Sequence, residues 1–111
     1  MKSHDLKCWP DYFDAIRCGS KRFELRRNDR DFNTGDLLML HEWDPETQKY
    51  TGRIAGRWVS YILKDHEGIA PGFCVMSIQK DPIGTAFLTI EQVTYESHKA
   101  SGSVLSRQQW L

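Results

Sequence analysis

Only one stretch of this chain carries both the start and the stop signal of a helix, and that restriction shapes the rest. Pro10 suits the first helical position, where a missing N–H costs nothing, and Gly19 suits the left-handed residue that closes a helix. Between them Phe13 and Ile16 fall on one face with Tyr12 beside them. Asp11 and Asp14 come early and Arg17 late, as the helix dipole prefers. The pattern predicts a helix over residues 10–18.

Around it the periodicity is that of strands. Residues 4–9 put Leu6 and Cys8 on one face and Asp5 and Lys7 on the other. Residues 22–27 alternate, with Phe23 and Leu25 opposite Arg22, Glu24 and Arg26. Residues 36–43, 52–63 and 73–79 complete the expected strands, with Gly52 and Gly56 as expected bulges. A strand, a helix and then mostly strands predict an α+β fold, a small curled β-barrel, and exclude a doubly wound sheet. Residues 1–80 form the expected domain. Residues 81–111 are expected to be a partly ordered C-terminal extension: 85–95 fit neither period cleanly, and 96–109 are polar.

Composition narrows the function classes. The formal net charge is zero and the pI is about 6.9, so bulk electrostatic binding of duplex DNA is excluded and any nucleic-acid contact must be a local patch. Three cysteines, Cys8, Cys18 and Cys74, show no C-x-x-C spacing and read as core thiols of a reducing, cytoplasmic compartment. No apolar run reaches transmembrane length, so no membrane partner is expected. The four histidines have no metal-binding spacing; no metal and no cofactor is expected.

The patch is local and specific. From Arg17 to Arg30 there are six basic and two acidic residues. Glu24 and Arg26 project from one strand face, roughly 6–7 Å apart, and Lys21 stands at the strand entrance. A lysine beside Arg26 in a dry site has a lowered pKa and can serve as base or nucleophile. Glu24 can orient it, accept a substrate N–H or act as general base. Arg26 offers a planar fork for phosphate or a base carbonyl. The competing reading is a structural ion network at a barrel mouth.

The spacing Gly19-x-Lys21-x-x-Glu24-x-Arg26 resembles the G-x-K-x-x-E-x-R signature of the ASCH domain family of the PUA-like superfamily. His4-x-Leu6-Lys7, Tyr12-Phe13, the Arg27–Phe32 run, Gly35-Asp36-x-Leu38 and Tyr50-Thr51-Gly52-Arg53 extend it to residues 4–79. Together they are similar to one branch, small bacterial and phage proteins classed as a domain of unknown function. The resemblance implies a β-barrel with a cleft for RNA, a modified base or a nucleotide. It implies Lys21, Glu24 and Arg26 in that cleft, with Tyr50, Thr51 and Arg53 at the same end of the barrel. Arg30 adds to the basic patch. Amidohydrolase relatives carry threonine where this chain has Glu24.

Three functions follow as expectations: a binding module for RNA or a modified nucleotide; a hydrolase of a modified nucleoside or of RNA, with Lys21 and Glu24 catalytic; and a protein-binding regulator of phage origin. Of the tryptophans, Trp58 is expected in the core, Trp9 packed on the helix start, and Trp43 is a candidate for base stacking.

Overall fold

The computed structural model describes residues 1–82. Five strands and one helix follow in order: β1 (Ser3–Cys8), α1 (Pro10–Arg17), β2 (Phe23–Arg27), β3 (Leu37–Asp44), β4 (Lys49–Lys64) and β5 (Phe73–Gln79). They form one curled half-barrel sheet in the order β1-β3-β4-β5-β2 with a short helix near the N-terminus, an α+β fold. β1 pairs parallel with β3, and the remaining neighbours are antiparallel.

The core lies between the sheet and α1. Phe13 and Ile16 from the helix and Phe32 from the β2–β3 loop pack on Leu6, Cys8, Leu38, Leu40, Val59, Cys74 and Met76. Burying Phe13 and Ile16 contributes about 1.5–3 kcal/mol each, enough to hold an eight-residue helix that would not persist alone. A smaller cluster of Leu37, Met39 and Trp58 occupies the other sheet face, and Trp58 is buried as expected.

Two irregularities curl the sheet. Between the pairs His41–Ile54 and Trp43–Tyr50, the single residue Glu42 faces Thr51, Gly52 and Arg53, and Gly52 takes a φ of 94°. Ser60 is extra in β4 between Val59 and Tyr61. Gly52 therefore sits in a bulge as expected. Gly56 does not: it pairs in register with Met39.

One further expectation is corrected. Cys18 is exposed because it caps the helix end, where its Sγ lies 3.3 Å from Ser20 Oγ; only Cys8 and Cys74 are core thiols. Trp9 is the N-cap residue of α1, with its side chain half exposed. The expectations for residues 83–111 lie outside the described residues.

Candidate functional site

Among the described residues β1 and β2 are the two edges of the sheet, and the curl turns them toward each other. No backbone ladder joins them. Side chains do: Arg26 Nη2 donates to the Lys7 carbonyl at 2.6 Å, and Arg30 Nη1 donates to the Asp5 carbonyl at 2.6 Å. Where this seam stays open there is a cleft of about 680 Å³, within the range of small-ligand sites.

The helix end positions the motif. Gly19, at a φ of 87°, reverses the chain after α1, a conformation that disfavours any Cβ. Lys21 N then caps the Ala15 carbonyl at 3.0 Å, which fixes the lysine beside the helix just before β2 begins. On β2 the charged face turns inward. Glu24 and Arg26 are 4% and 6% exposed, whereas Phe23 and Leu25 are 49% and 51% exposed. Burial of charge requires pairing, and the pairing is complete on the carboxylate. Lys21 Nζ reaches Glu24 Oε1 at 2.6 Å and Arg26 Nε reaches Glu24 Oε2 at 2.7 Å. Lys21 Nζ also donates to the Phe23 carbonyl at 2.7 Å. Its nearest charged partner is thus the carboxylate of Glu24, not Arg26.

The rim is aromatic. Trp9 is 49% and Tyr12 58% exposed, and both line the cleft with Phe23. Lys21 Nζ sits 4.8 Å from the Phe23 ring centroid and 5.6 Å from that of Tyr12.

Cys8, at the cleft base, is the register partner of Glu42 across the β1–β3 ladder. Burial pushes its thiol up to about 12, the charge of Glu24 adding to the rise and Arg26 and Lys21 opposing it. Glu42, buried like Glu24, adds a smaller rise of its own. Glu42 accepts from Thr51 Oγ1 at 2.7 Å and pairs with Arg53 Nη1 at 3.3 Å.

The expected site residues therefore divide. Lys21, Glu24 and Arg26 meet in the cleft, and Arg30 closes the same seam further along. Arg53 lies outside the cleft lining, held by Glu42 and by Asp14 at 3.2 Å and placed 4.8 Å from the Phe13 ring centroid. Tyr50 also lies outside it, edge-on to Trp43 at 4.8 Å and to His41 at 6.2 Å. Burial raises its hydroxyl above the ordinary value. Trp43 is not a free stacking platform, since Lys7 Nζ lies 3.8 Å from its ring centroid.

Sequence reasoning missed Trp9, Tyr12 and Cys8 as site residues. A signal for the first two was present: aromatics three apart, just ahead of a basic segment. Among the described residues no group of three or more His, Cys, Asp or Glu is placed to hold a metal ion, and no helix is long and apolar enough to cross a membrane.

A family model described as Domain of unknown function (DUF3850) matches residues 3–78, which run from the start of β1 almost to the end of β5. The chain belongs to that family. Its matched segment thus contains the whole seam. A curated relative, the "Uncharacterized 12.9 kDa protein in GpA 3'region" of Escherichia phage P2, is 48% identical over 64 residues. That alignment covers 58% of this chain and 53% of the relative, so the chain spans about half the length of the protein it matches.

Proposed function

We propose that this protein is a binding module for single-stranded nucleic acid, RNA foremost, or for a nucleotide, and that the ligand sits in the seam between β1 and β2. The observation that carries this reading is the combination of an exposed aromatic rim, Trp9, Tyr12 and Phe23, with cations on the cleft floor. Flat π-faces stack on bases whatever their identity, and a few lysines and arginines beside them suit phosphate. The neutral overall charge fits a local grip of this kind better than a long electrostatic track. Both oxygens of Glu24 are taken by cations and Lys21 is held by two acceptors, which suits positioning and binding more than hydrolysis through these two groups.

The test is a fluorescence-anisotropy titration of a labelled single-stranded RNA of mixed sequence. Binding is expected to weaken as NaCl rises from about 50 to about 200 mM. Trp9→Ala and Tyr12→Ala should each weaken it about tenfold while leaving the circular-dichroism spectrum intact, because both side chains are half exposed. Binding equal in wild type and both variants would reject the cleft as the site.

A further inference from the structure

The outer face of β4, β5 and β2 carries large apolar side chains that the core does not use. Residues opposite one another in register share a sheet face, and three rows cross these strands. In the first, Tyr61 and Phe23 flank Ser77; in the second, Leu63 and Leu25 flank Val75; in the third, Phe73 pairs with Arg27. The alternate residues Cys74 and Met76 lie in the core, so the rows face outward. Tyr61 is 62% exposed. No carboxylate stands in these rows, although acids and bases are equal in number over the whole chain. Their one charge is Arg27, which is exposed, with its guanidinium carbon 4.9 Å from the Phe73 ring centroid. Phe23 and Leu25 also line the cleft, so the cleft and the outer face meet along β2.

We propose that a single strand bound in the cleft runs on over the β2 lip and across this outer face, where Tyr61 stacks on a base and Arg27 holds a phosphate. This rests on the nucleic-acid reading above and extends its footprint from a cleft to a track. Exposed rings on a sheet face take unpaired bases by stacking. Tyr61 and Phe23 are two strand spacings apart, roughly 10 Å, a gap that an extended strand spans within a few nucleotides. The Arg27 guanidinium is laid against a ring and makes no ion pair among the described residues, so its N–H groups remain for an anion. With no acid in the rows, phosphates meet no repulsion from them. A protein partner would meet the same rings, but it gains nothing from their continuity with the cleft.

The experiment titrates the full chain with labelled single-stranded RNA of mixed sequence, about 4 and about 12 nucleotides long. Anisotropy is read for wild type, Tyr61→Ala and Arg27→Ala. Both side chains are exposed, and circular dichroism checks the fold of each variant. Tyr61→Ala is expected to weaken the long strand about tenfold and to leave the short one within about twofold. Arg27→Ala should lower the slope of log affinity against log salt by about one for the long strand and leave that of the short strand unchanged. Equal effects on both lengths, or none on the long strand, overturn the outer track and leave the cleft reading in place. A wild-type dimer in sedimentation that Tyr61→Ala dissociates overturns it too, and gives the face to a second copy of the chain. No binding of either strand overturns both readings.

Discussion

Lys7 is nearly buried, with Nζ 3.8 Å from the Trp43 ring centroid and 5.9 Å from that of Tyr50. Burial lowers its pKa from 10.5 to about 8. The folded state thus holds its proton less tightly than the unfolded chain, so stability rises as the pH climbs from about 8 to 10.5. The aromatic faces offset part of the cost of burying the charge. Lys7→Met is expected to raise stability by about 1 kcal/mol at pH 7. The gain should shrink toward pH 10, and urea melts at the two pH values measure it. No gain at pH 7 would mean the rings offset the burial in full. No local pattern announces this: the alternation around Lys7 was legible, but the rings that receive its ammonium come from β3 and β4.

The helix was the most legible element, because its two ends are set by local chemistry at Pro10 and Gly19. β2 was half legible. The alternation of Phe23 and Leu25 with Glu24 and Arg26 could be read, but not which face turns inward. That choice is made by Arg26 bonding a carbonyl 19 residues away, a contact no local pattern contains. The parallel β1–β3 pairing was hidden for the same reason, since nothing nearby in sequence marks it. Arg26 and Arg30 both close the seam but differ in burial. Arg26→Ala strips Glu24 of one partner and removes the bond to the Lys7 carbonyl, so about 3–5 kcal/mol of destabilisation is expected. Arg30→Ala should cost about 1 kcal/mol. Guanidinium melts of the two variants test the difference, and equal losses would show that Arg26 is not the main closure.

At the scale of the whole molecule, β1 is tied in at its start by Asp36. Its carboxylate accepts from His4 Nε2 at 2.8 Å, from the Lys2 amide at 3.0 Å and from the Asn33 amide at 2.9 Å. Burial works against the charge, but these bonds outweigh it and hold Asp36 below its usual value of 3.8. Its contribution is complete above that value and lost as the pH falls through the lower folded one. Asp36→Asn should therefore be less stable than wild type at pH 7, with the gap closing below about pH 4; urea melts across this range check it. A pH-independent gap would assign the loss to shape and not to charge. The seam has a different consequence for life at high concentration. A sheet with two bare edges is a template on which foreign strands grow, and the usual remedies are short edges, charge or cover. Here Lys21, Arg26 and Arg30 occupy the carbonyls of Phe23, Lys7 and Asp5, three of the edge groups that an incoming chain would need. Among the described residues the ring keeps an opening, and these contacts make its lips a poorer template for edge-to-edge polymerisation.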